Sequence, residues 1–155
     1  MRFHATMSGR VVLFRVDGRR CAIAAPAVVE ILAAVATSPL PGGPAYIAGV
    51  IDLRGSIVPV LDVRVRFGLP ARPMELTDHF IVTRARERVV ALWIDEVEAF
   101  ATCDGAAWSA VGGLVAGERS LAGVTSTADG IATIHDVDAF IAQCEDDAVF
   151  ASAAR

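Results

Sequence analysis

The apolar residues of this chain come in many short runs separated by glycine, proline and acidic turn signals, and that distribution limits the fold more than any single motif does. Hydrophobic residues make up 54% of the 155 positions, and a mean hydropathy of +0.52 raises the question of a membrane span. The longest apolar stretch, Cys21 to Val29, has nine residues with Pro26 inside it, far short of the roughly 20 that a spanning helix needs. Short apolar runs with turns between them are instead the pattern of a small barrel or a pair of barrels.

The order of elements follows from local chemistry. Arg10–Val16 and Arg19–Ala25 read as strands joined at Asp17-Gly18, a two-residue hairpin turn in which glycine takes the positive φ. Pro26 suits a helical first turn. Behind it Val28, Ile31, Leu32 and Val35 repeat at i, i+3, i+4 and i+7, which predicts a helix with Glu30 off its apolar face. Pro39, Pro41 and Pro44 with two glycines make a rigid loop. Ile47–Leu53 and Ile57–Leu61 form a strand pair around Arg54-Gly55, and Asp62 can cap a short helical turn through Phe67. A second pair, Phe80–Arg84 and Val89–Ile94, turns around Arg86–Arg88. Ala101–Gly117 is rich in Gly and Ala and reads as loop. Ser120–Thr125 and Ile131–His135 pair across Ala128-Asp129-Gly130. Asp136 then precedes Val137, Phe140, Ile141 and Cys144 in helical spacing, so a helix closes the domain. No internal repeat is evident. The expected organisation is a tail over 1–9, one domain over 10–145 and a second tail over 146–155.

Charge and chemistry exclude several classes. A net charge of −4 argues against nucleic acid as the main partner. Three cysteines, Cys21, Cys103 and Cys144, are too far apart for a zinc site or a disulfide framework. Behind its first charge the N-terminus has no apolar segment of the secretory kind, which points to the cytoplasm. The histidines His4, His79 and His135 are scattered, and there is no Gly-x-Ser-x-Gly elbow or phosphate loop, so neither a catalytic set nor a metal or cofactor site is expected. Asp95, Glu96 and Glu98 read as solvated charges at a strand end, Arg84, Arg86 and Arg88 as a solvated hairpin tip, and Cys103 as a loop thiol without a group to activate it.

One stretch is more specific. Gly49-Val50-Ile51-Asp52-Leu53-Arg54-Gly55, followed by Val58-Pro59-Val60-Leu61-Asp62, resembles the signature of CheW-like domains, a Gly-Val-x-x-Leu-Arg-Gly run leading into Val-Pro-Val-x-Asp. Val28-Val29-Glu30-Ile31, Pro39-Leu40-Pro41, Ala91 to Val97 and Leu121 to Val124 resemble the flanking segments of that family, in the same order. The resemblance covers roughly Val11 to Cys144. It implies a mainly β fold of two interlocked five-stranded SH3-like barrels with short helices and a C-terminal helix. It also implies a non-enzymatic adaptor that binds the cytoplasmic tip of methyl-accepting chemoreceptors and the regulatory domain of a CheA-type histidine kinase, with no membrane insertion of its own. The alternatives are the same scaffold in a non-flagellar chemosensory pathway, and a small β-barrel ligand-binding protein.

The residues that the resemblance singles out for protein binding are Val28, Glu30, Ile31, Gly49, Arg54, Gly55, Pro59 and Asp62. Arg54 carries a fork of donors for a carboxylate, either as an intramolecular clamp or in contact with a partner. Asp62 is either that carboxylate or the cap of the following turn. Val28 and Ile31 belong either to the core or to a docking groove. Gly49 permits a close backbone approach, and Pro59 belongs at an edge or bulge because it cannot donate to a ladder. Three departures from the family pattern stand out: Asp52 in place of Asn, Ala91 in place of Gly, and His135 at a strand end that is usually more apolar.

Overall fold

The computed structural model describes residues 9–103, 108–109, 121–127 and 129–146. Among the described residues eleven strands, one 3-10 turn and two helices follow one another. They are β1 (Gly9–Val16), β2 (Arg19–Ala24), the 3-10 turn (Ala25–Ala27), β3 (Val28–Ala33), β4 (Ile47–Leu53), β5 (Ser56–Asp62), α1 (Val63–Arg66), β6 (His79–Ala85), β7 (Arg88–Ile94), β8 (Glu96–Cys103), β9 (Trp108–Ser109), β10 (Leu121–Thr127), β11 (Gly130–His135) and α2 (Val137–Asp146). None of the described helices is long and apolar enough to cross a membrane.

The strands form two sheets, β8-β1-β2-β11-β10-β9 and β3-β6-β7-β5-β4. The second, central lobe is inserted between β2 and β8 of the first, terminal lobe, so the two are interlocked along the chain. Leaving aside the two-residue β9, both have the same five-strand pattern. An edge strand pairs antiparallel with a hairpin, β8 with β1–β2 and β3 with β6–β7. The second strand of that hairpin pairs parallel with the inner strand of another hairpin, β2 with β11 and β7 with β5. In chain order the central lobe runs edge, outer hairpin, inner hairpin. The terminal lobe is the circular permutation of that order. The repeat is one of topology, without a matching repeat of sequence.

This arrangement explains the unusually apolar strands. Alternate side chains point to opposite faces, and here both faces of the inner strands are covered. Val11 and Leu13 pack inside the terminal lobe with Ala22, Ala132 and Ile134. Val58, Val60, Phe80, Val82 and Ala91 fill the central lobe. Val12, Phe14 and Val16 point the other way, into a third cluster between the lobes with Leu61, Ile81, Leu92, Ile94, Val137 and Ile141. Each such side chain taken fully out of water contributes roughly 1.5–3 kcal/mol before entropy is counted. The lobes therefore share one core and cannot swing freely.

Four hairpins and both helices lie where the sequence predicts them, apart from end residues. Two-residue turns at Asp17-Gly18, Arg54-Gly55 and Arg86-Glu87 all have positive φ at both positions, the hairpin form whose twist matches that of the strands. Asp62 accepts a hydrogen bond from the Val65 N–H and caps α1.

The helix predicted over Val28–Val35 is not there. The segment is β3, paired with β6 from Val28↔Thr83 to Ala33↔His79, with a bulge between Val28 and Glu30. Val28, Val29 and Ile31 are β-branched and suit a pleated, half-buried surface. The bulge puts Val28 and Ile31 on the same shared core although they are three apart. Ala101–Cys103 is not loop but the end of β8, and Trp108 and Ser109 form β9; the rest of that predicted loop lies outside the described residues. Cys103 is consequently a buried strand residue, 3.8 Å from the Thr125 hydroxyl.

Nor are Asp95 and Glu98 solvated charges at a strand end. Asp95 is the single residue between β7 and β8, and its carboxylate receives Arg64 at 2.8 Å and Arg72 at 2.9 Å. Glu98 sits where the β1–β8 register shifts. The bulge aims it at Arg15 (2.6 Å) and Arg20 (3.1 Å). Burial on its own would push the Glu98 carboxyl up, but the Arg20 and Arg15 hydrogen bonds outweigh it and hold the carboxyl below its usual range.

Candidate functional site

The central lobe is an open barrel, because β3 and β4 are the two edges of its sheet. Two contacts close the seam between them. At one end Ser38 and Val50 exchange backbone hydrogen bonds of 2.8 and 2.9 Å. At the other, the Arg54 guanidinium forms an ion pair with Glu30 of β3. Of the two readings of Arg54, the intramolecular clamp is present, and its carboxylate is Glu30, not Asp62. The Arg54 side chain is 72% exposed and that of Glu30 27%, so the pair stabilises the fold by no more than about 1 kcal/mol while leaving the guanidinium open to solvent.

The turn that carries Arg54 is built locally. Arg54 and Gly55 have φ of 50° and 88°, and the Asp52 carboxylate accepts the Gly55 N–H at 2.8 Å. Asp52 keeps the acceptor that an asparagine would supply there and adds a charge. Leu53 pairs with Ser56, which makes Val50↔Pro59 a pair that exchanges no backbone bonds. The nitrogen of Pro59 then faces β7, and the β5–β7 ladder begins only at Val60. A proline is accommodated in an inner strand because it stands one residue before that ladder.

Glu30, Arg54, Gly55 and Pro59 therefore come together around the seam. The Gly49 backbone lies at its other end, against Ser38. A groove of about 460 Å³ runs beside it, lined by Val29, Leu53, Arg54, Ile57, Pro59 and Arg84, among others. Val28 and Ile31 turn inward to the shared core. Asp62 is buried at the far end of β5, where burial pushes its carboxyl up while the Val65 and Arg64 N–H groups pull the other way.

Val29 and Ile57, 50% and 59% exposed, are the groove's exposed large apolar side chains, and sequence reasoning passed over both. Helical spacing hid Val29, whereas strand alternation sets it opposite the inward Val28. The signal for Ile57 was its place just after the Arg54-Gly55 turn, where a strand has barely entered the lobe. Among the described residues no cluster of His, Cys, Asp and Glu could hold a metal ion. His135 is buried and used in packing, its ring 4.9 Å from that of Phe67 and 5.7 Å from that of Phe140.

Comparison with known proteins agrees with this architecture. The chain is 37% identical over 95 residues to the chemotaxis protein CheW of Rhizobium meliloti (strain 1021), covering 61% of each chain. It is 36% identical over 89 residues to that of Bacillus subtilis (strain 168), covering 56% of each. The matches thus span about three-fifths of the length of these curated relatives. The crystal structure of the scaffolding protein TtCheW from Thermoanaerobacter tengcongensis superimposes with a TM-score of 0.76 at 24% identity, over 83% of this chain and 89% of that one. The family model for the CheW-like domain matches residues 10–145. With a match over nearly the whole chain and two permuted five-stranded lobes around one core, the protein belongs to the CheW-like domain family.

Proposed function

We propose that this protein is a non-enzymatic cytoplasmic adaptor that couples methyl-accepting chemoreceptors to a CheA-type histidine kinase, and that the seam of the central lobe is one of its docking surfaces. The observation that carries the reading is the combination at that seam. A pair of exposed apolar side chains, Val29 and Ile57, flanks an ion pair whose guanidinium remains open to solvent. Of these residues arginine is the type enriched in protein-binding hot spots, and the apolar pair beside it supplies area that a partner can take out of water. Gly55, Pro59 and Gly49 shape the surface, Val28 and Ile31 support it from behind, and Glu30 and Arg54 hold its two edges together, while Asp62 caps α1 away from it.

The test is affinity capture of the tagged full chain from its host's lysate, with the retained proteins identified by mass spectrometry. The wild type is expected to retain a histidine kinase and chemoreceptors. Arg54→Glu sets two carboxylates against each other across the seam and is expected to lose at least one of the two partners while unfolding at nearly the wild-type temperature. In the swapped double variant Glu30→Arg/Arg54→Glu the seam closes again but the surface charge pattern is reversed. Recovery of binding by the swap would assign the pair a clamping role; continued loss would assign Arg54 a direct contact. Undiminished capture of both partners by Arg54→Glu would remove the seam from the docking surface. Capture of neither by the wild type, from cells that contain both, would overturn the adaptor reading.

A further inference from the structure

The chain passes between the lobes twice, and the two crossings are built differently. The first is the 3-10 turn Ala25–Ala27, between β2 and β3. Its alanines pack on the shared core, and none of its three side chains has a polar group to direct it. The second is Asp95 alone, between Ile94 of β7 and Glu96 of β8. A one-residue crossing has no slack, so whatever holds Asp95 bears on both sheets at once.

Both lobes hold it. From the terminal lobe, the Arg15 carbonyl accepts the Asp95 N–H at 3.0 Å, and the Asp17 N–H donates to Asp95 Oδ2 at 2.8 Å. From the central lobe, Arg64 Nη2 lies 2.8 Å from each carboxylate oxygen, and Arg72 Nη2 lies 2.9 Å from Oδ1. Arg64 also returns to the terminal lobe through the Asp17 carboxylate, 3.2 Å away. Arg72 is fixed in turn by the buried Asp78. Three donors from opposite sides of the lobe boundary therefore converge on two oxygens.

The cleft beside Asp95, about 360 Å³ in volume, is lined by Asp17, Arg64, Arg72, Glu75 and Glu96, among others, and by no large apolar side chain. Apolar shape does not fix the junction here. The shared core supplies attraction between the lobes, but apolar burial is non-directional, and cores tolerate repacking among side chains of similar volume. Hydrogen bonds weaken steeply as their angle departs from linear, and those to a carboxylate are shorter and stronger than neutral ones.

We propose that Asp95 is a positioning residue: the core draws the lobes together, and the Asp95 carboxylate sets the angle at which they settle. For an adaptor that angle fixes the geometry in which partners are held, so Asp95 acts on coupling from outside the seam. This last step rests on the adaptor reading; the setting of the angle does not.

The test is residual dipolar couplings of the 15N-labelled full chain in a weakly aligning medium. In the wild type, the amides of β1, β2 and β11 and those of β5, β6 and β7 are expected to fit one alignment tensor. In Asp95→Ala each set is expected to fit its own sheet while the two tensors separate in orientation. Asp95→Asn keeps one acceptor oxygen and is expected to show a smaller separation; it decides the matter if the alanine variant does not fold. Ile81→Val removes one carbon from the shared core and is expected to lower the melting temperature with the tensors still coincident. Coincident tensors in each Asp95 variant that folds, or an equal separation in Ile81→Val, would overturn the proposal.

In affinity capture, the Asp95 variants are expected to retain kinase and chemoreceptors together less than the wild type does, although Glu30, Arg54, Val29 and Ile57 are unchanged. Undiminished joint capture by a variant with separated tensors would overturn the step from angle to coupling. The couplings are measured without partners. A wild type that captures neither partner would therefore overturn the adaptor reading and leave the angle-setting role of Asp95 standing.

Discussion

Replacing Asp78 by asparagine is expected to lower stability by about 3 kcal/mol at pH 7, the scale of a broken buried ion pair, and the melting temperature by roughly 6–12 °C for a domain of this size. Asp78 is 1% exposed and takes four hydrogen bonds. Arg72 is bidentate at 2.8 and 2.9 Å, and the Glu75 N–H and the Trp93 indole reach the same Oδ2 at 2.9 and 3.0 Å. Asparagine has only one acceptor oxygen, so its amide must turn a donor toward another donor. The loss spreads because Arg72 also binds Asp95, Asp95 binds Arg64, and Arg64 binds Asp17 in the β1–β2 turn. That alternating chain ties the hairpin tip of the terminal lobe to the central lobe. Urea unfolding of Asp78→Asn, Arg72→Met and the double variant checks the assignment. Coupled groups should give a double variant little worse than Asp78→Asn alone; additive losses, or a single loss under about 0.5 kcal/mol, would refute it.

The same carboxylate fixes a pH dependence. Burial alone would push the Asp78 carboxyl up, yet Arg72, the Glu75 N–H and Trp93 prevail and hold it below its usual range. The unfolded chain, with a carboxyl near 3.9, then binds the proton first, so this stabilisation is complete above about pH 5 and is lost as pH falls through the folded value. Asp62 and Asp136 act oppositely. Burial raises both, so their cost at neutral pH is relieved as pH falls through their folded values. The gap between wild type and Asp78→Asn should therefore persist at pH 5 and shrink below about pH 4.

The sequence around Asp78 carries no local mark of its role. Its partners lie 3 to 15 positions away on a loop and another strand, and nothing in Leu76-Thr77-Asp78-His79 marks a buried charge. Turns and amphipathic ends are local and were readable: Asp17-Gly18, Arg54-Gly55 and the Asp62 cap needed only neighbouring residues. The β6–β7 turn was harder to set in register because neither Arg86 nor Glu87 is a usual residue for positive φ. Val28 to Val35 failed because alanines and β-branched residues fit two periods at once, and pairing with β6 decided between them. The Arg54–Glu30 clamp spans 24 positions. It follows only once β3 and β4 are known to be the free edges of one barrel, which is a property of topology and not of any short stretch.

At the other end of that seam, Gly49→Ala is expected to cost about 4–6 kcal/mol, from about 1–3 of backbone strain and about 1 for each of three lost hydrogen bonds. Gly49 has a φ of +144°, and a Cβ there would lie 2.3 Å from the Ser38 carbonyl oxygen and 3.1 Å from the Thr37 Cβ. These neighbours can yield only by releasing the two backbone bonds between Ser38 and Val50 and the Thr37 hydroxyl bond to Ala48. Gly55→Ala is the control. It too has a positive φ, 88°, but a Cβ there meets nothing within 4 Å, so the expected cost is only the left-handed strain, about 1–2 kcal/mol. The seam must open for Gly49→Ala to fold, so hydrogen exchange at the Val50 amide, which donates to Ser38, should accelerate in that variant and not in Gly55→Ala. If the two glycine variants unfold at the same urea concentration, the close approach of the 37–38 segment does not hold the barrel shut. The Glu30–Arg54 pair would then be left to close it alone, although an ion pair so exposed contributes at most about 1 kcal/mol.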